Sequence, residues 1–197
     1  MYSDNRIWKI EKDLQRARQI SWDTFGKSIT FYLPGMFTLN GIRGKFPALS
    51  ITGKNCDLMC EHCKGIILST MEAADDPDKF ISRCVRADRN GCYGVLISGG
   101  CDCTGTLPWD RFIPAIKKVK SMTDLYISIH SGLLDKDTAF RLKDAGVDQA
   151  LIDVIGDDET YSEIFHISKG TEKIYLSLIA MEKAELETVP HIICGVY

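Results

Sequence analysis

The sequence predicts an α/β fold built on a parallel sheet, from three observations: short apolar runs at regular intervals, helix-like stretches between them, and capping residues where those stretches begin and end. The runs are residues 46–52 (FPALSIT), 93–100 (YGVLISGG), 124–132 (DLYISIHSG), 149–156 (QALIDVIG) and 190–197 (PHIICGVY). They are rich in Val, Ile and Leu, as strands buried on both faces should be. Between them, residues 77–90, 108–120, 135–145 and 171–186 carry apolar positions at helical spacing, such as Phe80, Cys84 and Ala87, or Phe112, Ile116 and Val119. Asp76 before Pro77 reads as a cap, and Gly91 and Gly146 as stops. Strand alternating with helix means βαβ units with right-handed crossovers.

Ahead of this rhythm, residues 5–25 place Ile7, Ile10, Leu14, Ala17 and Ile20 on one stripe of an amphipathic helix, expected to pack on the outside of the α/β domain. A segment ending in Pro34-Gly35 and a Gly-punctuated loop lead to Phe46. The expected organisation is therefore an N-terminal helix with its lead-in over residues 1–45, and one α/β domain over residues 46–197. A chain of 197 residues with 45% hydrophobic composition can bury a substantial core. Basic and acidic residues nearly balance, 24 against 27, with no Lys/Arg run to track a phosphate backbone, so nucleic acid is not expected as a partner. The first residues are charged rather than signal-like, and no stretch reaches the ~18 apolar residues of a membrane span. A cytoplasmic protein without membrane association is expected.

Eight cysteines without a signal-like leader point to metal rather than to a disulfide framework. Three of them form Cys56-x3-Cys60-x2-Cys63 in a loop directly after the first strand, at the sheet edge where active sites of open and closed parallel sheets form. A Gly-rich phosphate turn, the mark of a doubly wound dinucleotide fold, is missing there. Iron–sulfur clusters are ordinarily held by four cysteines, so a compact loop of three implies an iron open to another ligand, such as a molecule offering an amine and a carboxylate. Structural zinc is the competing use of the same thiols. It wants four ligands, typically as two pairs; His62 is too close in sequence to Cys63 to share one ion readily, and no second CxxC follows.

With that loop the chain resembles the radical S-adenosylmethionine (SAM) superfamily, whose hallmark is CxxxCxxC after the first strand of a six-stranded partial barrel, with an aromatic residue before the third cysteine where His62 stands. The resemblance implies a partial (β/α)6 TIM-type barrel, truncated here after the fifth strand. It implies a [4Fe–4S] cluster on Cys56, Cys60 and Cys63, and SAM bound to its open iron and cleaved to a 5′-deoxyadenosyl radical. The family's Gly-Gly-Glu turn at the end of the second strand is matched by Gly99-Gly100, but its acid is replaced by Cys101, with Asp102 one place later as the alternative amine contact. His130 at the end of the third strand and Asp153 at the end of the fourth are expected at the cofactor; a carboxylate inside an apolar run needs donors, and the ribose hydroxyls supply them.

The strings FYLPG, FPALSITG, CEHCKG, LISGGCD and IDVIGD look like archaeal-type biotin synthase homologues associated with two-component lipoyl synthases. That resemblance implies sulfur insertion and a role for Cys101 and Cys103 in a second Fe–S cluster or in substrate chemistry. It also implies a small-molecule or lipoyl-domain-bound acyl substrate, an electron donor such as ferredoxin or flavodoxin, and a second radical SAM subunit as partner. A single-cluster maturase or mutase, and a non-catalytic metal-binding fragment, are the alternatives. Cys84, Cys92 and Cys194 read as core packing.

Overall fold

The computed structural model describes residues 4–29, 35, 38–193 and 195, without the side chains of residues 4–9, 38–39 and 42–43. The chain divides into two compact units, Met1–Tyr32 and Leu33–Tyr197. The first contains α1, Asp4–Phe25, a helix of 22 residues that matches the predicted stripe in length. Most of the FYLPG string, and Cys194 with the end of the last apolar run, lie outside the described residues.

In the second unit the lead-in loop contains a hairpin that the apolar periodicity does not reveal. Strands β1 (Thr38–Leu39) and β2 (Ile42–Arg43) pair across Asn40-Gly41, with both turn residues at positive φ, 51° and 79°. Asn-Gly between short strands is the standard signal for a two-residue primed turn.

The sheet is then built from β3 (Ala48–Ser50), β4 (Glu72–Ala73), β5 (Gly94–Ser98), β6 (Tyr126–His130), β7 (Gln149–Asp153) and β8 (Glu187–His191), in the order β4-β3-β5-β6-β7-β8 and parallel throughout. Among the described residues it is a six-stranded parallel sheet that does not close, a partial barrel. Its register explains the apolar runs. Leu49, Ile97, Ile129 and Ala150 stand side by side across four strands, all at most 1% exposed. They share one core with Phe80 and Cys84 of α2 (Pro77–Arg89), Phe112 and Ile116 of α3 (Trp109–Met122), Leu142 of α4 (Lys136–Asp144) and Met181 of α6 (Gly170–Lys183). The alternate row, which includes Leu96, Ser128 and Gln149, points to the opposite face of the sheet.

The predicted caps hold. Asp76 accepts from the backbone N–H of Asp78 and Lys79, while Gly91 and Gly146 stop their helices at φ 68° and 94°; Asp135, which was not foreseen as a cap, accepts from the backbone N–H of Thr138. A short helix, α5 (Asp158–Phe165), was not foreseen; Asp157 caps it by accepting from Thr160 N–H at 2.7 Å. The fifth strand of the rhythm also begins earlier than its apolar run suggested, at Glu187 rather than Pro190. Among the described residues β8 lies at the sheet's edge, so none of its residues is buried, and Pro190 is tolerated where one side needs no donor. No helix among the described residues is long and apolar enough to cross a membrane.

Candidate functional site

The strands' C-terminal ends surround a chamber of about 450 Å3. Its floor is the inward row, with Leu96 and Ser98 of β5, and its mouth is ringed by the loops that follow β3, β5, β6 and β7.

The loop after β3 carries the three cysteines, and its path is set by backbone bonds. Ser50 Oγ donates to Gly53 O at 2.7 Å, and Asn55 N donates to Thr52 O. Asp57 N and Leu58 N both donate to Cys101 O, at 2.9 and 3.3 Å, which fastens the loop to the end of β5. A second anchor is Glu61 N donating to Ile164 O of α5 at 2.8 Å. Met59 and Lys64 sit at φ 44°, with Gly65 at 70°, so the chain bends sharply beside Cys60 and Cys63. Cys60 is buried and Cys56 and Cys63 are half-buried; all three face the chamber. Burial, and then the neighbouring Cys63 and Cys56 thiols, push the Cys60 thiol up to about 12.

These donors fit an iron–sulfur cluster. They are soft thiols gathered on one side of a chamber, and binding to cationic iron removes the cost of bringing three thiolates together. They do not fit one small ion as well. Among the described residues, the group of three or more ligand side chains whose donor atoms all lie within 4.8 Å is His130, Asp153 and His191, and not the cysteines. Cysteines that each bind a different iron stand farther apart than ligands of a single zinc.

The Gly99-Gly100 turn ends β5 against this loop. Gly100 N donates to Thr52 Oγ1 at 2.7 Å, and a Cβ on Gly100 would run into Asn55 O and Cys56 Cβ and lie 2.5 Å from Cys56 Cα. The glycine is therefore required by close approach of two backbones, with no positive φ involved. His62 lines the chamber and rests on Phe165 of α5, ring centres 4.9 Å apart.

His130 and Asp153, the last residues of β6 and β7, face the chamber, His130 on the face that alternation with Ser128 predicts, with His130 Nε2 3.4 Å from Asp153 Oδ1. Burial pushes the Asp153 carboxyl up, but His130, and beyond it His191 and His62, hold it below the ordinary carboxylate value. Cys101 lines the chamber too. Burial, then Cys56 and Cys60, push its thiol up to about 12.

Two predicted residues are placed elsewhere. Cys103 is exposed and is not among the chamber's lining residues. Asp102 borders a second, smaller cavity, and its carboxylate is engaged by its own loop: Oδ1 accepts from Thr104 N and Oγ1 at 2.8 and 2.7 Å, and Oδ2 from Thr106 Oγ1 at 2.9 Å. Three lining residues carry no functional signal in the sequence. Tyr161 and Phe165 form an aromatic wall from α5, their rings stacked at 5.1 Å. His191 ends β8, and the shift of that strand is what brings it to the rim. Cys84 is fully buried in the core, as expected.

No family model matches the chain. A biotin synthase of Geotalea uraniireducens is 30% identical over 97 residues, covering 48% of this chain and 29% of the relative. A biotin synthase of Pelobacter propionicus is 40% identical over 76 residues, covering 36% of this chain and 22% of the relative. The matched stretch thus spans less than a third of either curated relative. Among solved structures, methylornithine synthase PylB aligns over the whole of this chain and 53% of its own, with a TM-score of 0.60 at 16% identity. HydG, a maturase of the [FeFe]-hydrogenase, aligns over 61% of this chain and 29% of its own, with a TM-score of 0.50 at 12% identity. At those identities the structural likeness speaks for the fold alone.

Proposed function

We propose, from the radical SAM superfamily near biotin synthase to which these relatives and neighbours point, that the chain is a radical SAM enzyme. The observation that carries the reading is the chamber itself: three thiols, a close-packed Gly-Gly turn and a half-buried carboxylate converge on one space at the C-terminal sheet edge. In this reading Cys56, Cys60 and Cys63 hold a [4Fe–4S] cluster, which supplies the electron that cleaves SAM to methionine and a 5′-deoxyadenosyl radical. The chain's own part is binding, orientation and exclusion of water. Backbone groups around Gly99-Gly100 receive the methionine amine, Asp153 accepts from a ribose hydroxyl, and His62 with Phe165 and Tyr161 forms an aromatic wall that shields the radical.

The test is anaerobic. Reconstituted, reduced protein should convert SAM to 5′-deoxyadenosine, and a protein with a full cluster that leaves SAM intact would overturn the reading. Asp153→Ala should weaken SAM binding about tenfold, the loss of one charge-assisted bond, with the cluster's absorbance unchanged. Unaltered affinity in a calorimetric titration, with the fold intact, would reduce Asp153 to a structural residue.

The finer reading is sulfur insertion, supported by the curated relatives named biotin synthase and by the Cys101 thiol in the chamber. The Cys101→Ala/Cys103→Ala protein should then still form 5′-deoxyadenosine while losing sulfurated product. The exposure of Cys103 favours a second reading, a radical enzyme with one cluster only. Equal product per SAM cleaved in wild type and double variant would select it.

A further inference from the structure

Three adjacent parallel strands, β6, β7 and β8, each end in a residue able to bind a metal: His130, Asp153 and His191. The register pairs Asp153 directly with His191, and His130 with Leu151 on the strand between them. The three donor atoms therefore converge, all within 4.8 Å of one another. Asp153 Oδ1 is the shared centre, 3.4 Å from His130 Nε2 and 3.9 Å from His191 Nδ1. The two imidazoles lie 5.6 Å apart, tilted by 46°. All three residues are half-buried and line the chamber that the cysteines face.

A tight Asp–His pair would not look like this, because charge-assisted N–H···O bonds run about 2.7–2.9 Å and both contacts here are longer. Two imidazoles instead share one carboxylate oxygen, each at more than the usual charge-assisted distance, with a gap between the three donors. Metal–nitrogen and metal–oxygen bonds of about 2.0–2.2 Å would fill it after a small rotation of the rings. Two histidines and one carboxylate are also a donor set of defined preference: intermediate in softness, suited to divalent iron and its first-row neighbours, and leaving coordination positions open on the side away from the protein.

We propose that His130, Asp153 and His191 form a second metal site, mononuclear and separate from the three cysteines, that holds a divalent first-row ion with open positions toward the chamber. The site stands on its own geometry and does not depend on the cysteines holding a cluster. It gives His130 to the ion rather than to SAM. Asp153 serves it through Oδ1, leaving Oδ2 for the ribose contact proposed above. The open positions face the space where a substrate must sit, so the ligand class they admit is a substrate carrying a thiol, an amine or a carboxylate near its reacting carbon.

The test uses Co2+ on the full chain after anaerobic cluster reconstitution and desalting. Wild type should bind one equivalent with a ligand-field spectrum of nitrogen and oxygen donors and no sulfur-to-cobalt charge-transfer band. His191→Ala, on a half-exposed edge strand and outside the proposed cluster and SAM contacts, should weaken Co2+ binding at least about tenfold, with cluster absorbance and SAM affinity as in wild type. Equal Co2+ affinity in wild type and variant, a charge-transfer band from thiolate, or no uptake at all would overturn the site. If His191→Ala does not fold, the four histidines of the wild-type chain decide. Co2+ should give the large contact shifts of ligated rings at two imidazoles and only smaller through-space shifts at the others, and no contact-shifted imidazole would count against the proposal.

Discussion

Replacing Cys56, Cys60 and Cys63 together by alanine should abolish the proposed cluster while leaving the fold standing. The three thiols belong to a loop held by backbone bonds, Asp57 N and Leu58 N to Cys101 O and Glu61 N to Ile164 O, which alanine does not disturb. The core that stabilises the sheet, from Leu49 through Ile97 and Ile129 to the helices, does not depend on them. Of the three only Cys60 is buried, so its loss is a modest core substitution of roughly 1 kcal/mol. Cluster binding should respond all or none, since a cubane with one open iron has no ligand to spare. Each single alanine variant should therefore lose the charge-transfer absorbance and the iron and sulfide of the wild type, with helical circular dichroism and melting temperature little changed. A triple variant that keeps its full iron content and spectrum, or a native protein carrying stoichiometric zinc, would sink this assignment.

What the sequence makes legible is the part of the fold whose residues are buried on both sides. The strands at Leu49, Ile97, Ile129 and Ala150 announce themselves as apolar runs because each is covered by helices on one face and by neighbouring strands along both edges. Where that covering ends, the pattern fades. Edge strand β8 reads ETVPH, half-exposed, so the apolar stretch after it drew the prediction three residues too far along. The two-residue strands β1, β2 and β4 are too short for periodicity to register; Asn40-Gly41, read only as part of a Gly-punctuated loop, is the turn chemistry that could have marked the hairpin.

The site divides the same way. The cysteine spacing, the Gly-Gly turn and the acid inside IDVIGD could be read because each breaks a local expectation: clustered thiols, paired glycines at a strand's end, and a carboxylate among isoleucines. Asp102 and Cys103 followed those signals in sequence but not in space, since the loop turns outward after Cys101 and closes on the Asp102 carboxylate. His191 carried no local signal. Its place at the rim depends on the pairing of Asp153 with His191, which belongs to the sheet and not to either segment.

Replacing Gly100 by alanine should cost the protein its proposed cluster without replacing a ligand. A methyl group there overlaps Asn55 O and Cys56 Cβ and meets Cys56 Cα at 2.5 Å, and most of what it meets is backbone that no rotamer change can move aside. Relief must come from displacing either the end of β5 or the first cysteine's segment of the loop. The strand is paired on both sides, so the loop gives way. Overpacking of this kind costs about 1–3 kcal/mol, and here it falls on Cys56, one of the three proposed cluster ligands. Gly99→Ala is the graded comparison. Its Cβ meets Thr52 Oγ1 at 3.0 Å and Leu107 Cδ2 at 3.2 Å, side-chain atoms able to yield by a few tenths of an ångström. Gly156→Ala is the control, with nothing within 4 Å. Iron and sulfide content after identical reconstitution should fall sharply in Gly100→Ala, slightly in Gly99→Ala and not at all in Gly156→Ala. Circular dichroism on all three separates loss of the loop from loss of the fold. A Gly100→Ala protein with wild-type cluster content and SAM affinity would mean that the turn does not position Cys56, and that the contact between β5 and the cysteine loop is packing alone.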